Sequence, residues 1–316
     1  MDVSLQDPLA KLGVRSWALC VKKAFVAINP IAGGSRPERA AERVHAALVE
    51  GGWESDIYRT CGKERDQGTF RERLPGEYQM AIAVGGDGTV GALADSLVLS
   101  DIPLGIIPAG TGNGIAKELR IPMRFNGALD AIMRSRVSHE VDAMTVNGQH
   151  YFLAIGIGLT ALTVRETGVK DKRRFGMLAY FGRGLQRLIG IQPHLFEIDV
   201  DGLQVHLGGM EALVVNAASF GEPYVRWATD VRMDDGTLEA MVFRTRNLAD
   251  VLSVALNALI RRRLADRRLL YMHARHSISV ASNHPLPVQA DGDVVGNTPV
   301  EIRVVPRAVR IIIPPV

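Results

Sequence analysis

Apolar and polar positions divide the chain into two parts of different texture. In the first, short and almost wholly apolar runs end in glycine-rich turns and lead into stretches of helical spacing. Residues 23–28 (KAFVAI) predict a buried strand, 40–49 a helix stopped by Gly51-Gly52, and 53–60 (WESDIYRT) a second strand. A short helix follows at 68–74, a third strand at 79–84 and a helix at 89–99. The run LGII within 101–107 predicts a fourth strand, with a helix behind it ending at Leu119. Unbroken apolar strands alternating with helices indicate a parallel sheet covered on both faces. Its loops then collect in one crevice at the strand C-termini.

Past residue 125 the period changes. A linking helix is predicted at 127–135, followed by short alternating runs at 141–146, 151–157, 194–200, 211–216, 237–243, 276–280, 299–305 and 308–313. Asn147-Gly148 and Asp201-Gly202 read as hairpin turns. Two helical interruptions are expected, at 174–188 and 248–270. The predicted fold class is therefore α/β with two domains: a parallel α/β domain over 1–125 and a β-rich, mostly antiparallel domain over 126–307, with a terminal strand at 308–316.

A chain of 316 residues suits two domains. Thirty-seven basic against 34 acidic residues leave a charge of +3, too small to argue for nucleic acid, and no finger-like Cys/His spacing occurs. The two cysteines, Cys20 and Cys61, make no disulfide framework and fit a reducing cytoplasmic compartment. The N-terminus does not read as a signal peptide, and no uncharged apolar stretch reaches membrane-spanning length. Arg261-Arg262-Arg263 and Arg267-Arg268 read either as solvated cations near a helix end or as attraction to anionic headgroups at the inner membrane face. Residues 180–188 (YFGRGLQRL) read either as packing or as lipid contact. A dimer is compatible with the sequence.

Candidate chemistry concentrates in three turns that follow predicted parallel strands. They are Asn29-Pro30-Ile31-Ala32-Gly33-Gly34-Ser35, Gly85-Gly86-Asp87-Gly88-Thr89 and Gly110-Thr111-Gly112-Asn113-Gly114. Glycines let the backbone approach a ligand closely, and free N–H groups at such turns cradle phosphate. Asp87 can orient a hydroxyl or a metal ion, and Thr111 and Asn113 offer a hydroxyl and an amide to phosphate or ribose. Lys117, one turn further on, reads as a phosphate neighbour or a solvated side chain. The set is neither a dinucleotide fingerprint nor a Walker loop, since Gly-x-Gly-x-x-Gly and Gly-Lys-Ser/Thr are both missing. Phosphoryl transfer to an alcohol benefits from a carboxylate base. Asp291-Gly292-Asp293 supplies two carboxylates around a glycine, and Asp291 is the candidate base. Asp230, Asp234 and Asp235 form an acidic turn that reads either as hard oxygen ligands for magnesium or as a plain acidic hairpin. The histidines show no metal spacing, and no Ser-His-Asp pattern emerges.

In their order along the chain these motifs resemble the diacylglycerol kinase catalytic family, which includes bacterial lipid kinases and sphingosine kinases. Asn29 to Gly33, Gly85 to Thr89 and Pro108 to Asn113 are similar to its nucleotide-domain signatures. Asp234-Asp235-Gly236-Thr237-Leu238 is similar to its Asp-Gly-x-Leu segment, and Asp291-Gly292-Asp293 to its late Asp-Gly-Glu. The Gly-Gly-Asp-Gly-Thr element alone also occurs in NAD kinases and phosphofructokinases. The resemblance spans about 23–314 and implies ATP and Mg2+ as cofactors, with a lipid alcohol, diacylglycerol or a related glycerolipid, as substrate. It implies that the nucleotide lies between the domains and that the last strand returns to the first. Asn29, Gly33, Thr60, Gly85, Gly86, Asp87, Gly88, Thr89, Thr111, Gly112 and Asn113 would then hold nucleotide. Asp87 would join the magnesium network, Asp230, Asp234 and Asp235 would form the structural magnesium turn, and Asp291 would take the lipid hydroxyl proton with Asp293 beside it. Three departures stand out. Gly114 sits where many members carry Asp, Asp293 where Glu is usual, and Leu159-Thr160 where an Asp often follows Gly156-Ile157-Gly158. NAD kinase activity and a non-catalytic, nucleotide-dependent lipid sensor are the competing readings.

Overall fold

The computed structural model describes residues 22–31, 37–135, 137–166, 193–218, 231–244, 250 and 268–314. The opening elements are β1 (Lys22–Ile28), α1 (Pro37–Glu50), β2 (Trp53–Arg59), α2 (Lys63–Arg73), β3 (Met80–Gly85), α3 (Asp87–Asp95), β4 (Leu104–Pro108), α4 (Gly114–Glu118) and α5 (Phe125–Arg134). β1 pairs in parallel with both β2 and β3, and β3 with β4. Every residue of β3 and β4 is buried, as the unbroken apolar runs require of strands covered on both faces. Phe25, Leu48, Phe70, Ile82, Leu93, Leu104 and Ile106 form the centre of this core.

The strands that follow are β5 (Ser138–Val146), β6 (Gln149–Tyr151) and β7 (Ala154–Gly158), then α6 (Leu159–Glu166). Beyond it come β8 (His194–Val200), β9 (Leu203–Gly209), β10 (Glu211–Val215), β11 (Leu238–Phe243), β12 (Leu269–Ala274), β13 (Ser277–Ser282), β14 (Pro287–Ala290), β15 (Asp293–Asn297) and β16 (Val300–Ile312). One sheet runs β12-β11-β10-β7-β14-β15, all antiparallel. The other is continuous with the parallel strands and runs β2-β1-β3-β4-β16-β13-β8-β9, with β5 on β16 and β6 on β5. β16 makes that continuity: its start pairs with β13, and Ile311 near its end lies opposite Leu104 of β4 in parallel. A second core fills the space between the sheets, with Phe196, Ile278 and Ile302 from one and Ile155, Ile157, Val214 and Val288 from the other. Alternation along β10 sends Ala212 and Val214 into this core and Leu213 and Val215 to a smaller cluster on the outer face.

Several expectations change; the run expected at 151–157 is two strands, β6 and β7, parted at Phe152 and Leu153. The helix expected at 68–74 begins at Lys63, because the Asp66 carboxylate accepts the Cys61 and Gly62 N–H groups at 2.9 and 3.0 Å and closes the turn earlier. The strands expected at 299–305 and 308–313 are one strand, β16, which bends at a register shift between Val305 and Val309 and at Arg307, φ 50°. Leu269 and Leu270, expected at the end of a helix, open β12 on the edge of the second sheet. Residues 248–249 and 251–267 of that helix, Arg261–Arg263 and Arg267 among them, the helix expected at 174–188, the 180–188 run and Cys20 lie outside the described residues. Arg268 is described, and its guanidinium lies 3.3 Å from Asp250. No helix among the described residues is long and apolar enough to cross a membrane.

Candidate phosphoryl-transfer site

β1, β3 and β4 end side by side, and the turns after them meet. Asn29 donates its backbone N–H to Val84 O at 2.9 Å and its side-chain amide to Thr89 Oγ1 at 3.3 Å. Its own Oδ1 accepts the Ile31 N–H at 2.9 Å, so the first turn is tied to the second. Gly85 closes β3, Gly86 precedes α3, and Asp87, Gly88 and Thr89 form the first turn of that helix. Gly86 and Gly110 touch backbone to backbone: a Cβ built on Gly110 would lie 2.4 Å from Gly86 Cα, so any side chain would push the turns apart. Asn113 takes a left-handed conformation, φ 54°, and both ends of its amide are engaged with Gly110, at 2.9 and 2.8 Å. It shapes the third turn rather than presenting its amide to a ligand. Thr111 is exposed beside it. Thr60, half-buried, follows β2 and donates its N–H to Ile28 O at 2.9 Å, which places it beside Asn29. Gly33 lies outside the described residues.

Asp87 is the carboxylate at the centre of these turns. Burial pushes its pKa up, opposed by the N–H groups of Gly114, Ile115 and Asn113 that point at it. A Cβ on Gly112 would come within 2.7 Å of Asp87 Oδ2, so the missing side chain there makes room for the carboxylate.

Asp291 reaches the same place from the other domain. Asp291-Gly292 is the turn between β14 and β15, with φ of 47° and 89°, as Asn147-Gly148 and Asp201-Gly202 are for their own hairpins. The Asp291 carboxylate accepts the N–H groups of Phe152 at 2.8 Å and of Leu153 and Ala154 at 3.0 Å each. A carboxylate has about four acceptor positions, so about one is left for a further donor. Asp201 accepts three successive N–H groups in the same way, from Arg275, His276 and Ser277, and its pKa is held below the usual range. The cradle alone therefore marks no site. What separates Asp291 is burial, which drives its pKa up despite the three N–H groups, and the charge of Asp87, which drives it further in the same direction. Two residues on, Asp293 is exposed and pairs with Lys63 Nζ at 2.5 Å.

At the acidic turn Asp234 is bound by Arg232 at 2.8 and 2.9 Å and by His139 at 2.8 Å, while Asp235 accepts the Thr237 N–H and hydroxyl at 3.0 and 2.8 Å. Behind them the buried Asp142 accepts the Gly236 and Arg307 N–H groups, both at 2.7 Å. Among the described residues no group of three or more His, Cys, Asp or Glu could hold a metal ion. Asp230 lies outside the described residues.

Two family models cover most of this architecture. Residues 23–146 match the diacylglycerol kinase catalytic domain, and 154–313 match the YegS C-terminal NAD kinase beta sandwich-like domain. The chain belongs to the bacterial lipid-kinase family. A diacylglycerol kinase of Bacillus subtilis is 28% identical over 298 residues, covering 93% of this chain and 97% of that one. An uncharacterised Synechocystis protein is 32% identical over 239 residues, and the match spans 54% of its length. A crystal structure of a diacylglycerol kinase from Bacillus anthracis superposes with a TM-score of 0.72 at 21% identity, covering 93% and 97% of the two chains.

Within this lipid-kinase frame the Gly114 departure has a packing counterpart. A Cβ at 114 would lie 2.7 Å from Leu153 Cδ1, so the leucine fills the space where a side chain would stand. Four groups gave no sequence signal. Asp95, fully enclosed at the end of α3, accepts Arg71 Nη2 at 2.7 Å, Gln67 Nε2 at 3.1 Å, and the His150 N–H at 2.9 Å, with the His150 ring at 2.8 Å. Burial works against its charge, but His150 and then Arg71 outweigh it and hold its pKa low. Asn216 donates to the carbonyls of Asp142 and Phe152 at 2.8 and 3.0 Å. Glu211 is buried at the start of β10 on the N–H and hydroxyl of Thr160. Tyr151, buried beside Asp293, Asp291 and Asp95, has its phenol pushed up to about 12, by burial first and those charges second. The partners of Asp95, Asn216 and Glu211 are remote in sequence.

Proposed function

We propose that the protein transfers the γ-phosphoryl group of ATP to a lipid alcohol, diacylglycerol or a related glycerolipid, with Asp291 as general base. The observation that carries this reading is the approach of Asp291 to the glycine turns: its carboxylate holds the Leu153 N–H, the Leu153 side chain packs on Gly114 beside Asp87, and the charge of Asp87 acts on Asp291. The backbone N–H groups of Gly86 to Gly88 and of Thr111 and Gly112 cradle the phosphates. The acceptor hydroxyl donates its hydrogen bond to the remaining acceptor position of Asp291. Its oxygen bonds to the γ-phosphorus, the bond from that phosphorus to the β,γ-bridging oxygen breaks, and ADP leaves with the electron pair. The hydroxyl proton passes to Asp291, whose raised pKa suits it to accept one. The products are a lipid phosphate monoester and ADP. Asp293, beside the base, completes the acidic edge of the acceptor side. The diacylglycerol kinase named for Bacillus subtilis, aligned over nearly the whole chain, supports the choice of acceptor class.

Replacing Asp291 with Asn keeps the size and most of the backbone contacts while removing the base. Turnover should fall by roughly 10²–10⁴-fold, with ATP affinity preserved. Normal turnover in that variant would strip Asp291 of its role. NAD kinase is a second reading because the model matching residues 154–313 describes an NAD kinase-like sandwich. NADP formation matching lipid turnover would favour it.

A further inference from the structure

Carboxylates gather at this site. The charge of Asp87 acts on Asp291, and Asp293 follows two residues after the base. Transfer of a phosphoryl group brings still more negative charge, which has to be met by a cation. Lys63 stands at this place. It is the first residue of α2, on the nucleotide side, yet its ammonium lies 2.5 Å from Asp293 Oδ2 and 5.4 Å from the centre of the Tyr151 ring on the acceptor side.

The root of Lys63 is firmly built. The Asp66 carboxylate accepts the Cys61 and Gly62 N–H groups and, at 3.0 Å, the Tyr58 hydroxyl, which fixes the turn leading into α2. Further along the helix, Gln67 and Arg71 hold Asp95, which in turn holds His150 next to Tyr151. A fixed root carries a flexible four-carbon stem whose tip has three donors. Its present partner is an exposed carboxylate in an exposed pair, the kind that holds weakly and exchanges readily. A γ-phosphate offers more charge and three oxygens.

We propose that Lys63 is a catalytic residue of the transfer: its ammonium rests on Asp293 until nucleotide binds, then moves to the γ-phosphate oxygens and neutralises them as the phosphoryl group passes to the acceptor. This rests on the ATP-dependent reading above. Lys63 takes no part in the proton transfer. The acceptor proton still goes to Asp291 and the electron pair still leaves on ADP.

The test needs no lipid. The affinities of the full-length protein for ADP and for an ATP analogue with an uncleavable β,γ bridge are measured calorimetrically, for wild type, Lys63→Gln, Lys63→Arg and Asp293→Asn. Both side chains are partly exposed, at 36% and 53%, so the variants should fold, and thermal melting checks that they do. Lys63→Gln should lose about tenfold of the preference for the ATP analogue, the loss of one charge-assisted contact, while ADP affinity stays within about twofold. Arg should restore most of the preference, and Asp293→Asn, which frees the ammonium, should increase it. If Lys63 only clasps the two halves together, Lys63→Gln and Asp293→Asn will shift ADP and analogue alike and in the same direction, and the proposal falls. An unchanged preference in Lys63→Gln overturns it as well. Failure of the lipid-kinase reading appears elsewhere, as ATP binding with intact Lys63-dependent preference but no Asp291-dependent phosphorylated lipid.

Discussion

Replacing Glu211 with Gln should remove much of the protein's alkaline loss of stability. The Glu211 side chain is buried at the head of β10, where its oxygens receive the Thr160 N–H at 2.9 Å and the Thr160 hydroxyl. Burial is the larger influence and pushes its pKa from 4.5 up to about 8, against hydrogen bonds that pull it down. The folded protein therefore holds a proton on Glu211 at neutral pH that the unfolded chain releases. Stability from this group is fully present below about pH 4.5 and is lost as pH rises through about 8. A difference of about 3.5 units corresponds to roughly 5 kcal/mol between the two limits, of which roughly 2–3 kcal/mol falls between pH 6 and pH 9. For a chain of this size that is roughly 5 °C in Tm. Glutamine keeps the shape of the protonated acid and has no proton to lose. Urea or thermal unfolding of both proteins across that pH range is the assay. The wild type should lose stability on the alkaline side and Glu211→Gln should lose far less, becoming the more stable protein near pH 9. Parallel curves would refute the reasoning and mean that Glu211 is ionised in the folded state.

Gly110→Ala would place a methyl group 2.4 Å from the Gly86 backbone, which cannot move aside as a side-chain tip could. It should lower stability by roughly 1–3 kcal/mol and weaken ATP binding; a variant with wild-type ATP affinity would show that the two turns can separate without harm. Asp95→Asn should cost roughly 1–3 kcal/mol near pH 7, since it weakens charge-assisted bonds to Arg71 and His150. Because the Asp95 pKa is held below 3.8, that stabilisation is present above the ordinary carboxylate range and is lost as pH falls through the folded value. Chemical unfolding of the two proteins should therefore converge on acidification, and a constant gap would mean that the charge of Asp95 is not what is being lost.

The parts of the site legible in the sequence are those whose residue type is dictated by backbone geometry. Gly86 and Gly110 had to be glycine because two turns touch there, and Asp291-Gly292 had to suit a turn with two positive φ values, so both showed as local motifs. Asp87 was legible as a carboxylate among glycines, although it opens α3 instead of lying in a loop ahead of it. The amide of Asn113 was read as a ligand donor, and the structure shows it engaged with Gly110. Lys63, Asp95 and Glu211 left no trace in any window, because a single charged residue has no period and each finds its key partner elsewhere in the chain, Lys63 at Asp293, 230 residues away. His150 showed no metal spacing in the sequence, and the fold brings it to Asp95. The acidic turn carried two readings. In the structure Asp234 is bound by Arg232 and His139, and Asp235 by Thr237.

The most direct test of the account is a product analysis. The protein is incubated with γ-labelled ATP, magnesium and detergent-dispersed lipid alcohols (diacylglycerol, monoacylglycerol, phosphatidylglycerol and a sphingoid base), with NAD as a competing acceptor and Asp291→Asn as the control. The account predicts label in one lipid, diacylglycerol or a close glycerolipid, and none when Asp291 is Asn. Label in NADP, label in lipid that persists in the variant, or ATP binding with no labelled product would contradict it.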